Sequence, residues 1–298
     1  MELPHYEYVA SLVFGGLKQD EAAYERACAV VLPVPLERTT SYLPGTRSGP
    51  REILLASSQM ELWDEETSTS ASKFAVYTLP EMELPFGTLP EALAEIRRIA
   101  NEILDAGKFL IALGGEHSLT APLVDAVATR HTDLSVLQID AHADLRDSYM
   151  GSPYSHASVM RRVVEKVPCT QVGIRSISEE EARAVPSLRT SIFYDVSMRR
   201  DPQWVDKVLD SLGESVYLTI DCDGFDPAVM PAVGTPEPGG LSWYEGLTLV
   251  RRVFETRKVV GCDLVELSPI PGVAAPNFLC ARLLYKMLTY WALTQRRG

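Results

Sequence analysis

Short apolar runs, many rich in Val and Ile, alternate along the chain with longer segments whose apolar residues recur every three or four positions. The runs cover 27–32, 74–79, 109–113, 134–139, 170–174, 191–194, 216–220 and 259–265. Between them lie the helical patterns PREILLASSQMEL, LPEALAEIRRIANEILDAG, SLTAPLVDAVATRH, ASVMRRVVEKV, DPQWVDKVLDSLG, LSWYEGLTLVRRVFETR and CARLLYKMLTYWALTQRR. In ALAEIRRIANEIL, for example, Leu93, Ile96, Ile99, Ala100, Ile103 and Leu104 fall on one face. Strands that are apolar throughout and separated by helices are strands buried on both faces. The pattern therefore predicts an α/β fold, a three-layer α/β/α sandwich on a mostly parallel sheet of about eight strands. It does not give the strand order.

Composition narrows the class. The chain has 298 residues, 46% hydrophobic and 23% charged, with no linker-like stretch and no repeat, so one domain over 1–298 is expected. No run approaches the roughly 18–20 continuous apolar residues of a membrane helix. The opening MELPHYEYVASLVFGG lacks the basic start of a secretory signal. Cys28, Cys169, Cys222, Cys262 and Cys280 are scattered, odd in number and mostly set in apolar runs. Buried free thiols in a cytoplasmic protein are the reading. A formal charge of −12 argues against nucleic acid and is compatible with a cationic partner.

Ligands of open α/β sheets bind outside the carboxyl ends of the strands, and there this sequence concentrates its chemistry. Run 109–113 leads into GGEHS, with Glu116, His117 and Ser118. Run 134–139 leads into DAHAD, with Asp140, His142 and Asp144, and run 216–220 into DCDGFDP, with Asp221, Asp223 and Asp226. Glu266 follows run 259–265, and His156 lies downstream in PYSHAS. In extended chain, alternate residues share a face, which would group Asp140 with His142 and Asp144, and Asp221 with Asp223. It would turn Cys222 into the core. Four aspartates and two histidines in one cleft would be strongly destabilising if left unpaired. Two divalent cations would balance them, roughly 3.5–4 Å apart with a carboxylate bridging from each Asp-rich motif. Carboxylates and imidazoles without thiolate suit Mn²⁺ better than structural zinc, though zinc remains open. Taken singly, GGEHS reads as a capped turn, DxD as a solvated turn and His142 as a core histidine. Their coincidence at three strand ends favours metal.

GGEHS, DAHAD, SHAS, DCDGFDPAVMPAVGTPEPGGL and VELSP, in this order, resemble the ureohydrolases, the family of arginase and agmatinase. The segment TTSYLPGTRSGPREILLASSQMELWDEE is similar to the corresponding agmatinase stretch, so the resemblance covers about 30–284. It implies the arginase-like fold and two Mn²⁺ ions, one held by His117, Asp140, Asp144 and Asp221, the other by Asp140, His142, Asp221 and Asp223. Asp140 and Asp221 would bridge. It further implies Glu266 as the carboxylate that binds a guanidinium group and His156 as a proton shuttle. The implied reaction is attack of hydroxide on the guanidinium carbon, with Asp144 taking the nucleophile's proton and His156 protonating the leaving amine. Urea and an amine result. Relatives often form trimers or hexamers, which makes a homo-oligomer the expectation.

Arginases carry an Asn where Arg146 stands and an Asp where Ser178 stands. Both departures point to a small cationic, decarboxylated guanidine: agmatine, giving putrescine, ahead of arginine. GSPYSHASVMRR is more like the subgroup that includes N1-aminopropylagmatine ureohydrolases, which would give spermidine. Guanidinobutyrate and formimidoylglutamate follow. Glu237 and Glu179, Glu180 and Glu181 are candidates to receive a distal ammonium, or else solvated surface charge. Asp226 reads as a turn former and Thr235 as part of the loop lining the cleft. The rival classes are a single-zinc deacetylase-like amidohydrolase and a non-catalytic relative.

Overall fold

The computed structural model describes residues 12–17, 19, 21–70 and 74–295; the first eleven residues, and with them most of the signal-peptide reading, lie outside them. All eight apolar runs are strands: β1 (Ala29–Val34), β2 (Val76–Thr78), β3 (Phe109–Gly114), β4 (Leu134–Ile139), β5 (Cys169–Ile174), β6 (Thr190–Tyr194), β7 (Ser215–Asp221) and β8 (Lys258–Val265). They form one eight-stranded sheet in the order β2-β1-β3-β8-β7-β4-β5-β6. Every pairing in it is parallel.

Alternation along each strand divides its side chains between two cores. Val31, Ile111, Leu218 and Ile220 face the helices Gly49–Ser57, Trp243–Thr256 and Ala275–Thr294. Val30, Leu32, Leu110 and Val136 face the helices Leu89–Asp105, Thr120–Ala128 and Val159–Val164. The result is the three-layer sandwich. Both faces of the inner strands are covered, which is why those strands read as continuous apolar runs.

Local chemistry sets the helix ends. Thr88 and Ser242 close capping boxes with Glu91 and Glu245, each stabilising its helix by about 1 kcal/mol. The last helix begins at Ala275, five residues before the expected Cys280, because Pro276 occupies its first turn. The acidic stretch at 179–181 is helical. It is the first turn of a short helix, Glu179–Ala184, capped by Ser178, and six residues are too few to show a period. Four cysteines are buried free thiols as expected, but Cys28 is exposed. It precedes β1 outside the layered core. Among the described residues, no helix is long and apolar enough to cross a membrane.

Candidate metal centre

The four strands whose ends carry the motifs, β3, β8, β7 and β4, are contiguous in the sheet. Glycines let their ends close together. A side chain at Gly115 would meet the Leu36 carbonyl oxygen at 1.9 Å, and one at Gly224 would meet the Asp140 backbone nitrogen at 2.8 Å.

His117 is buried, and its Nδ1 has no hydrogen-bond partner. It faces Oδ2 of Asp140 at 3.1 Å, of Asp221 at 3.2 Å and of Asp144 at 3.3 Å. The other ring nitrogen, Nε2, lies 2.9 Å from Thr219 Oγ1, which donates to Asp263 Oδ1 at 2.6 Å. Tyr217 and Thr120 donate to the second Asp263 oxygen. A buried network thus holds the ring proton on Nε2 and leaves the Nδ1 lone pair free, as ligating histidines require. An orphaned nitrogen facing three carboxylates fits a divalent cation.

A second cluster shares Asp140. His142 Nδ1 lies 2.9 Å from Asp223 Oδ2 and 3.7 Å from Asp140 Oδ1. The ligand atoms of His117, Asp140 and Asp221, and those of Asp140, His142 and Asp223, each lie within 4.8 Å of one another. Asp221 is grouped with the first set alone, and its Oδ1 accepts the Asp223 N–H at 2.8 Å.

Strand alternation does not produce this convergence. β4 ends at Ile139, and Asp144 reaches the site with φ at 53°. Asp223 follows β7 on a 3-10 turn, Cys222–Gly224. The chain turns because the side chains take up its backbone donors: Asp140 accepts the His142 N–H and Asp223 accepts the Ala141 N–H. Cys222 does point into the core, with its sulfur 3.5 Å from that of Cys280.

The electrostatics state the same need. With protein groups alone, burial and the Asp140 charge push the Asp144 carboxyl up to about 7. Burial, with Asp223 and Asp140 adding to it, raises Asp221 well above the carboxylate range. Burial opposes a charge on His142, yet Asp223 and Asp140 pull it up to about 12. Protons would have to neutralise this cluster; cations do so without them.

Glu266 also has a left-handed backbone, φ 65°, and accepts the His117 N–H at 2.6 Å. Such strain at Asp144 and Glu266 costs on the order of 1–2 kcal/mol each. It sets the Glu266 carboxylate beside the metal candidates. His156 stands across the cleft, its ring edge-on to Tyr149 at 5.9 Å, and Tyr149 in turn lies under the Arg146 guanidinium at 5.2 Å. Asp144, His142, Asp221, Asp223, His156, Glu266, Arg146, Ser178 and Thr235 all line one cleft with a cavity volume of about 150 Å³.

Of the acidic candidates for a distal amine, Glu179 is paired with Arg183 and Glu180 is exposed. Glu181 reaches the cleft, but its oxygens accept from Leu145 N, Ser178 N and Ser178 Oγ. Glu237 Oε1 stands 4.0 Å from His142 Nε2. Asp226 is the expected turn former, accepting the Ala228 N–H. Sequence reasoning assigned no part to Asp263, Thr219, Thr39 or Arg175. Arg175 donates to the carbonyls of Asp223, Phe225 and Glu237, clamping the loop after β7. An aspartate inside the apolar run of β8 was the one available signal for Asp263.

Residues 27–289 match the family model described as the arginase family. An N(1)-aminopropylagmatine ureohydrolase of Synechocystis is 42% identical, covering 92% of each chain. An agmatinase of Bacillus anthracis is 35% identical over 88% of this chain and 93% of its own. The structure of an agmatine ureohydrolase of Thermoplasma volcanium superposes with a TM-score of 0.82 at 31% identity, covering 92% of this chain and 93% of that one. The deacetylase-like and non-catalytic readings give way to these matches. With the strand order, the paired histidine–aspartate clusters and these similarities together, the chain belongs to the arginase family, the hydrolases of guanidino C–N bonds.

Proposed function

We propose that this enzyme releases urea from a decarboxylated, cationic guanidine, with agmatine or its N1-aminopropyl derivative as substrate and two Mn²⁺ ions as cofactor. The observation that carries the reading is the contact between Glu266 and the His117 backbone, which puts this carboxylate against the metal candidates and supports it as the group that would bind the guanidinium. Mn²⁺ is supported by a donor set of carboxylates and imidazoles from which the Cys222 sulfur is turned away. His117, Asp140, Asp144 and Asp221 would hold one ion, and Asp140, His142, Asp221 and Asp223 the other. When bound, such a pair supplies water ionised near neutral pH.

The protein's own groups then have distinct tasks. Glu266 accepts the N–H groups of the guanidinium and aligns its carbon. Asp144 takes the proton of the attacking hydroxyl, a role supported by its place in the cleft beside His117 and Asp221. His156, lowered by burial, gives its proton up readily to the leaving nitrogen. Arg146 and Ser178 line the cleft where arginases place the Asn and Asp noted above, which supports a substrate without the amino-acid end. The higher identity with the aminopropylagmatine enzyme supports the longer amine.

Residues 1–298 are taken as one catalytic unit, supported by the single sheet that runs from Ala29 to Val265. A cytoplasmic homo-oligomer, trimer or hexamer, completes the reading. Urea release after Mn²⁺ loading, from agmatine, N1-aminopropylagmatine, arginine and guanidinobutyrate, tests it. The two decarboxylated guanidines should exceed arginine by at least about 100-fold in kcat/KM. Preference for arginine would sink the substrate assignment.

A further inference from the structure

We infer that Thr39 and Glu116 are positioning residues for His156, holding its ring proton on Nδ1 so that Nε2 is the nitrogen that serves the cleft. The inference rests on the reading of His156 as the group that protonates the leaving amine. Its basis is the arithmetic of one hydroxyl, which has a single proton to give and two lone pairs to offer. Thr39 Oγ1 lies 2.8 Å from Glu116 Oε1, 3.0 Å from the His156 backbone nitrogen and 3.1 Å from His156 Nδ1. A carboxylate accepts and a backbone N–H donates. The hydroxyl proton therefore goes to Glu116, and one lone pair takes the His156 N–H. The lone pair that remains meets Nδ1 favourably only when Nδ1 carries hydrogen.

Glu116 is held as an acceptor by the donors around it. Its Oε2 accepts the backbone N–H groups of Arg38 and Thr39, each at 2.6 Å, and its Oε1 also accepts from Ser118 Oγ at 2.6 Å. The residue is fully buried, so water does not compete for these bonds. The chain of contacts ties three segments together: the end of β3, the loop after β1 and the turn at His156–Ser158. With Nδ1 committed to Thr39, the neutral ring keeps its lone pair on Nε2, and a proton picked up there can be delivered to the leaving nitrogen. A ring free to exchange tautomers would spend part of its time with Nε2 protonated and its lone pair turned to the wall.

The test compares wild type, Thr39→Val and Thr39→Ser in the full chain. Kinetics use the Mn²⁺-loaded enzyme with agmatine and its aminopropyl derivative. ¹⁵N-histidine NMR uses protein loaded with diamagnetic Mg²⁺, where five histidines keep the spectrum assignable and His156→Asn identifies the signal. Wild-type His156 should show a protonated Nδ1 and a lone pair on Nε2. Thr39→Val should lose roughly 10–100-fold in kcat, with KM within about threefold, as expected for impaired proton transfer. Its His156 signals should shift toward a tautomer mixture, and Thr39→Ser should restore the pattern and most of the rate. A wild-type ring protonated on Nε2, an unchanged kcat in Thr39→Val, or a Thr39→Ser enzyme as slow as Thr39→Val would overturn the inference. The wild-type spectrum decides it even if Thr39→Val does not fold. Failure of every guanidine to yield urea would instead count against the functional reading, since the tautomer is measured without substrate.

Discussion

His117 and His142 both turn Nδ1 toward aspartates, yet their side chains are 1% and 24% exposed. The deeper ring is backed by Thr219, Asp263, Tyr217 and Thr120, all buried. The shallower ring has solvent on one side and Glu237 at 4.0 Å. Two sites that share Asp140 therefore differ in how far the protein has fixed them before an ion arrives. Preorganisation lowers the cost of binding, so the deep site should bind tighter and exchange more slowly than the shallow one.

The largest expected effect tests what the sites share. Asp140→Ala removes a carboxylate that both clusters share, and urea release should fall by at least about 1,000-fold, with metal content well below two ions per chain. Activity within tenfold of wild type would break the two-site description. A smaller effect separates the sites. Asp263→Asn weakens only the support behind His117, and should cost the deep site roughly 10–100-fold in affinity, read by metal titration, while leaving the shallow site unchanged. Equal weakening of both would mean that the buried network does not set the difference.

The smallest effect is on stability. The folded-state value of Asp144, about 7 through burial and Asp140, lies above the ordinary carboxylate value. Its neutral form therefore contributes stability that is fully present below about pH 4 and is lost as pH rises through 7. Metal-free protein should lose a few degrees of melting temperature between pH 6 and 8 for this reason, and Mn²⁺-loaded protein should not. A metal-free protein that gains stability over that interval would show that Asp144 is not held neutral.

Much of this was legible in the sequence, for identifiable reasons. Inner strands buried on both faces leave unbroken apolar runs, so β3, β4 and β7 were found to within about a residue. Metal-type residues stood out because their chemistry is expensive at a strand end. The geometry that unites them was read for the wrong reason: Asp144 and Asp223 arrive by turns stabilised by side chains, where alternation in extended chain had been expected. The short helix Glu179–Ala184 left no periodic trace. Contacts such as Thr39 with Glu116, 77 residues apart, and Thr39 with His156, 117 apart, leave no mark in local pattern at all.

The place of β8 in the sheet has a consequence for biosynthesis. It is the last strand to leave the ribosome, yet it lies between β3 and β7. Until it is made, β2-β1-β3 and β7-β4-β5-β6 are separate ribbons with no strand in common. His117 follows one ribbon, and Asp140, His142, Asp144, Asp221 and Asp223 follow the other. The two parts of the candidate deep site thus lie on different pieces of the chain, and β8 is the strand that joins them. A product ending before residue 258 would therefore keep all six candidate ligands and lose the strand that brings His117 beside the aspartates.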